Sequence, residues 1–159
     1  MISKIARALA LAIGTGLGSG YFPIAPGTVG SAVGLALYAA LVRLGAVSRA
    51  FSLGWVLTLA VVFAAGWASA WYLERRYGPD NRRIVIDEVW GMLISLFLVT
   101  PGVGQAIAGF LLFRLFDIIK PFPGRLAEKV GGGAGVMLDD GVAGVYACIV
   151  LRVFGRLLG

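Results

Sequence analysis

Apolar residues run along this chain in long stretches, separated by short gaps that hold most of its arginine and lysine; this is the pattern of helices that enter or cross a membrane. Five stretches, at residues 29–44, 51–73, 84–99, 103–119 and 135–157, are long enough, or nearly so, to cross a hydrocarbon core of ~30 Å. Several are short, which predicts tilt or local thinning. Ahead of them, residues 8–13 follow Lys4 and Arg7 with the charged start and short core of a signal peptide. A glycine-rich segment follows at once, which favours an amphipathic or re-entrant helix lying against the surface. The expectation is an all-α, multi-span membrane protein with about five membrane helices and an N-terminal interfacial or re-entrant helix, forming one domain over residues 1–159.

Composition supports that class. The chain is 59% apolar and only 14% charged, with a mean hydropathy of +0.90. The net charge of +6 lies in the gaps between apolar runs, so anionic lipid is the expected partner and nucleic acid is not. Residues 74–83 carry Arg75, Arg76, Arg82 and Arg83; residues 120–133 carry Lys120, Arg125 and Lys129; the turn 100–102 carries none. Placing the basic segments in the cytoplasm gives a self-consistent five-span orientation, with Arg43, Arg49, Arg152 and Arg156 as the exceptions. This places the functional face towards the cytoplasm.

That orientation has a consequence for the acids. Asp87, Glu88, Asp117, Asp139 and Asp140 sit inside or against apolar runs, and all five fall at the same, cytoplasmic end of their spans. A charge at the bilayer centre costs ~3 kcal/mol on insertion scales, so five unpaired ones would cost on the order of 15 kcal/mol. A bound cation, paired basic side chains or a wet cavity must compensate, and each of these points to a site.

Several chemistries are excluded. There is no histidine and a single cysteine, Cys148, in an apolar stretch, so serine triads, phosphohistidine and intrachain disulfides are out. A C-x5-R phosphatase loop would need arginine at Phe154. Neither a G-x-x-x-x-G-K-S/T loop nor a G-x-G-x-x-G fingerprint is present. What is left is carboxylate, arginine, lysine, hydroxyl and metal chemistry.

Four segments carry those groups. In residues 18–31, prolines and glycines precede a span, and a helix starting near Thr28 would aim free amides at an anion, with Ser19, Gly27, Thr28 and Ser31 as phosphate or headgroup contacts. A plain helix cap by Thr28 or Ser31 is the alternative. Asp87 and Glu88 point about 100° apart on a helix, so one can ligate a cation while the other orients water; they could also merely complement the helix dipole. Arg114, Asp117 and Lys120 share one helical stripe, which suits a salt-bridge ladder or a phosphomonoester held by Arg114 and Lys120 with Asp117 on a metal. The glycine-rich loop 131–135 feeds a helix bearing Asp139 and Asp140, completing an oxygen-rich environment of the kind Mg2+ prefers. GxxxG spacing at Gly30 and Gly34 permits tight helix packing, within a chain or between chains.

The four blocks GSGYFPIAPGTVGS, DEVWG, FRLFDIIKPFP and GGAGVMLDDGVAG, in order and spacing, resemble the phosphatidylglycerophosphatase A family of bacterial membrane phosphatases. The likeness covers roughly residues 14–144. It implies a Mg2+-dependent hydrolase of phospholipid synthesis that converts phosphatidylglycerophosphate to phosphatidylglycerol. It also implies catalytic roles for Asp87, Glu88, Asp139, Asp140, Arg114 and Lys120, with Asp87, Glu88, Asp117, Asp139 and Asp140 around the metal. Metal-activated water is the leading nucleophile, and attack by Asp139 or Asp87 itself stays open. Two rivals remain at this stage. One is a phospholipid phosphotransferase, whose D-G-x2-A-R motif is missing; the other is a divalent-cation transporter or channel lined by the carboxylates.

Overall fold

The computed structural model describes residues 3–47, 51–79, 81–99 and 102–157. Arg49 and residues 100–101 of the turn used for orientation lie outside them. The described residues form seven α-helices and no strand: α1 (Lys4–Gly14), α2 (Pro26–Arg43), α3 (Leu53–Tyr77), α4 (Ile86–Ser95), α5 (Val103–Ile119), α6 (Gly124–Glu128) and α7 (Gly132–Leu157), with a 3-10 turn at Ser19–Tyr21.

Four of the predicted spans coincide with α2, α3, α5 and α7, and the expected N-terminal helix is α1, capped by the Ser3 hydroxyl on the Ala6 amide. Among the described residues two helices, α3 and α7, are by length and composition able to cross a membrane. The run 84–99 departs from expectation: α4 has ten residues, about 15 Å of helix and half a hydrocarbon core. It ends at Ser95, and Leu98 just beyond takes a left-handed φ of 57°. The apolar sequence continues past the helix because α4 is enclosed by protein on most sides: Val89, Met92, Leu93 and Leu96 are 3% exposed or less.

Close backbone approach encloses it. On α2, Gly30 and Gly34 are one turn apart and face α4; a Cβ on Gly34 would come within 3.0 Å of Val89 and Met92 atoms. The GxxxG pair therefore packs within the chain. From the other side α7 presents Gly144 to the Gly91 carbonyl, with room for neither to carry a side chain. Trp90 on α4 donates its indole N–H to the Leu59 carbonyl of α3 at 2.9 Å, and its ring meets Phe63 at 4.9 Å. Below this, Trp55 is fully buried, stacked on Tyr38 at 6.1 Å and edge-on to Phe97 at 5.4 Å.

The outward faces of α3 and α5 are apolar. Only 22% of α3's apolar window is buried inside the protein, so Val56, Leu57, Val61, Trp67 and Trp71 face outward. On α5, Val103, Ile107, Leu111, Leu115 and Ile118 do the same. An apolar face of this extent fits a lipid surround better than water.

The glycine-rich segment before the last helix is less of a loop than expected. The α7 helix already starts at Gly132, and Gly133 abuts the backbone of α3, where a Cβ would meet the Trp67 carbonyl at 2.5 Å and the Trp71 amide at 2.7 Å. Gly133 lets the two helices touch.

Candidate active site

The fold draws together the ends of five helices around a cavity of about 540 Å³, a size ordinary for small-molecule sites. Asp87 and Glu88 enter it from the first turn of α4 and Asp140 from the third turn of α7. Each has a buried carboxylate oxygen with no hydrogen-bond partner: Asp87 Oδ1, Glu88 Oε2 and Asp140 Oδ2. One ligand atom from each of the three lies within 4.8 Å of the others. Three carboxylates at this separation repel one another in a medium that solvates them poorly, so the arrangement is unfavourable without a cation. Oxygen-only donors of this kind fit a hard divalent ion such as Mg2+.

The other two acids are committed differently. Asp117 Oδ2 lies 2.7 Å from Arg114 Nη1, one turn away on α5. Asp139 Oδ2 lies 2.7 Å from Lys120 Nζ, and its Oδ1 accepts the Asp140 amide at 2.9 Å. Part of the predicted ladder on α5 thus exists, as the Arg114–Asp117 rung. Lys120 leaves the stripe because it is the C-cap of α5, with a left-handed φ of 50° that turns it towards α7. The chain after it is tied to α7 as well, through the Tyr146 hydroxyl, which donates to the Phe122 carbonyl at 2.8 Å.

The two acid pairs stand differently towards their helix dipoles. Asp87 and Glu88 do lie in the first turn of α4, but Asp139 and Asp140 lie beyond the first turn of α7, where the macrodipole has faded.

At the N-terminal motif, α2 begins at Pro26, two residues ahead of Thr28, after Ala25 in a left-handed conformation (φ 49°). Ala25 has no side-chain oxygen, so no hydroxyl caps this helix. Ser31 hydrogen-bonds back to the Gly27 carbonyl at 2.9 Å and accepts from Arg114 Nη1 at 3.4 Å, a fully buried support for the arginine. Ala25, Pro26 and Gly27 line the cavity, and a Cβ on Gly27 would fall on Glu88 Oε1. Ser19 is turned elsewhere, donating to the Thr15 carbonyl at 3.2 Å. Neither Ser19 nor Thr28 is among the described residues that line the cavity.

All five predicted acids, with Arg114, Lys120 and Gly27, therefore meet at one place. The cavity wall also holds Glu74, Asn81 and Arg82 from the end of α3 and the connector after it, which sequence reasoning counted only as part of a basic gap. The available signal was a glutamate and an asparagine inside a segment that carries four arginines.

Comparison with known proteins bears on what this cavity does. The family model described as Phosphatidylglycerophosphatase A matches residues 12–155. A Bacteroides thetaiotaomicron protein named "Putative phosphatidylinositol-3-phosphatase" is 40% identical over 154 residues, covering 95% of this chain and 96% of its own. Two proteins named phosphatidylglycerophosphatase A, from Haemophilus influenzae and Escherichia coli, are 38% and 35% identical, covering 87% and 91% of this chain and 84% and 82% of theirs. No solved structure gives a significant match. By this match across nearly the whole chain, cavity included, the protein belongs to the phosphatidylglycerophosphatase A family and is a phosphatase.

Proposed function

We propose that the chain hydrolyses the terminal phosphomonoester of phosphatidylglycerophosphate to phosphatidylglycerol and inorganic phosphate, using Mg2+ held by Asp87, Glu88 and Asp140. The observation that carries this reading is the set of three partnerless buried carboxylate oxygens beside Arg114 and Lys120 in one cavity. A bound Mg2+ supplies Lewis-acid polarisation of the phosphate and a more acidic water.

The chain's own residues do the rest. Arg114 commits one nitrogen to Asp117 and Ser31, and its remaining N–H groups are free in number to clamp phosphate oxygens. Lys120 adds a point charge, held in place by Asp139. The start of α2 at Gly27 borders the same space, and the absence of a side chain there makes room for the Glu88 carboxylate. Water adds to phosphorus opposite the glycerol oxygen, and the bond from phosphorus to that oxygen breaks. A cavity carboxylate not committed to the ion relays the water's proton to the departing oxygen.

In the proposed setting α2, α3, α5 and α7 cross the bilayer, α1 lies at its surface, and α4 stays inside the bundle. The cavity opens to the cytoplasm, where the basic gaps 74–83 and 120–133 meet anionic headgroups. Family membership argues against the transporter alternative.

The test is phosphate release from phosphatidylglycerophosphate by the purified protein in detergent, with Mg2+ and with chelator. Mg2+-dependent release is expected. Folded protein that releases no phosphate under either condition would overturn the reading.

A further inference from the structure

Three cations line the cavity, and two of them are already engaged: Arg114 with Asp117 and Lys120 with Asp139, each at 2.7 Å. The third, Arg82, is exposed and, among the described residues, has neither an ion pair nor a hydrogen bond from its side chain. The balance of charge makes this unusual. Among the described residues, six carboxylates face three cations around one space: Glu74, Asp87, Glu88, Asp117, Asp139 and Asp140 against Arg82, Arg114 and Lys120. A guanidinium beside so many carboxylates that pairs with none of them is available for an anion that arrives with the substrate.

Its position is fixed by its neighbours. Asn81 donates from Nδ2 to the Tyr77 carbonyl at 3.1 Å, at the end of α3, and accepts the Arg83 amide on Oδ1 at 3.2 Å. The Ile84 amide closes the turn on the Asn81 carbonyl at 2.8 Å. Arg83 is not among the described lining residues, and its guanidinium lies over the rings of Tyr77 at 4.9 Å and Tyr21 at 5.6 Å. Arg82 is therefore held on the cavity wall by a turn pinned on both sides. It is exposed, whereas Asp140, at the site of the partnerless oxygens, is 4% exposed.

We propose that Arg82 reads the internal phosphodiester of the lipid substrate while the terminal phosphomonoester sits at Arg114, Lys120 and the three carboxylates. This rests on the phosphomonoesterase reading above and adds a substrate requirement: two phosphates, an internal diester and a terminal monoester, on one headgroup. Phosphatidylglycerophosphate has both, and so does the lipid in the name of the Bacteroides relative. Phosphatidic acid has the monoester alone. Arg82 acts in specificity and takes no part in the bond change.

The experiment compares kcat/KM for phosphatidylglycerophosphate and phosphatidic acid, in mixed micelles of the same detergent, for the wild type, Arg82→Gln, Arg82→Lys and Arg76→Gln. Wild type should favour the two-phosphate lipid by at least tenfold. Arg82→Gln should lower that ratio about tenfold through a raised KM for phosphatidylglycerophosphate, and Arg82→Lys, which keeps the charge, should restore part of it. Arg76→Gln removes a guanidinium that lies over the Tyr77 ring outside the cavity wall, and should keep the ratio. An unchanged ratio in an active Arg82→Gln enzyme, or an equal fall for both lipids, would overturn the role of Arg82 and leave the hydrolase reading intact. Release from neither lipid by folded wild type would overturn the hydrolase reading and this inference with it.

Discussion

Lys120 Nζ and Asp139 Oδ2 stand 2.7 Å apart, joining the last residue before the proline turn of α5 to the second turn of α7. The aspartate side chain is 9% exposed and the lysine 32%, so one partner is held inside while the other reaches the cavity. This contact orients both a cation proposed to meet the phosphate and the peptide that carries Asp140. Lys120→Met should lower kcat by about 100-fold, the scale of losing one charged donor to a developing oxyanion. Lys120→Met combined with Asp139→Asn should lose much less than the product of the single losses, because each single change already disables the pair. A double-mutant cycle on phosphate release measures this, and simple additivity would mean the two side chains act separately.

Replacing Asp140 by Asn should separate stability from activity. Asp140 Oδ2 is buried without a partner beside Asp87 and Glu88. Removing its charge relieves repulsion in the metal-free protein, so thermal unfolding in chelator should rise, by the equivalent of about 1–3 kcal/mol. The same change removes a proposed ligand, so activity should vanish and added Mg2+ should no longer raise the unfolding temperature. An Asn variant that Mg2+ still stabilises as it does the wild type would remove Asp140 from the ion site.

How much of this the sequence disclosed depends on the residue. The convergence of five acids was legible because each sits at a helix end that an apolar run and a basic gap define together, and the cavity joins those ends. The length of α4 was not legible. The hydropathy of residues 84–99 is that of a span, but periodicity cannot tell a lipid-facing helix from a half-length one buried by glycine-mediated packing, as at Gly34 and Gly144. Nor could sequence show that Lys120 leaves the Arg114 stripe, since this depends on a left-handed C-cap ahead of the prolines. Ser31 was read as a ligand contact or cap, and the structure gives its hydroxyl to Gly27 and Arg114. Arg82 was hidden among three other arginines that share its gap, because a topology rule counts charges without asking where each one points.

Gly91 and Gly34 should respond differently to alanine. A Cβ at Gly91 would come within 2.5 Å of Phe113 and 2.7 Å of the Asp140 carbonyl, whereas one at Gly34 would meet Val89 and Met92 on the α2 side. Both changes overpack a tight helix contact and should destabilise by about 1–3 kcal/mol, seen as an earlier thermal transition in detergent. Only Gly91→Ala displaces a peptide that carries a site carboxylate. It should therefore lose activity well beyond Gly34→Ala when both are assayed below their transitions. Equal specific activity in the two variants would show that the site tolerates movement of the α7 backbone at Asp140.

Gly27→Ala should give the opposite signature to Gly91→Ala. Gly27 lies in the first turn of α2, where alanine is the better helix former by up to about 1 kcal/mol, so thermal stability should hold or rise. Its Cβ, however, would fall on Glu88 Oε1 and lie 3.3 Å from Arg114 Nη1. Those two side chains must give way, and they are a proposed ion ligand and the proposed phosphate clamp. Misplacement of about 1 Å in such a pair costs on the order of 100-fold in rate, which is the loss expected in kcat/KM. Shortening the glutamate creates room, so Gly27→Ala combined with Glu88→Asp should recover part of the activity that either change alone removes. Recovery would tie the rate to the space between α2 and α4; a double variant no better than the weaker single one would mean that the Gly27 position acts through the α2 backbone and not through Glu88.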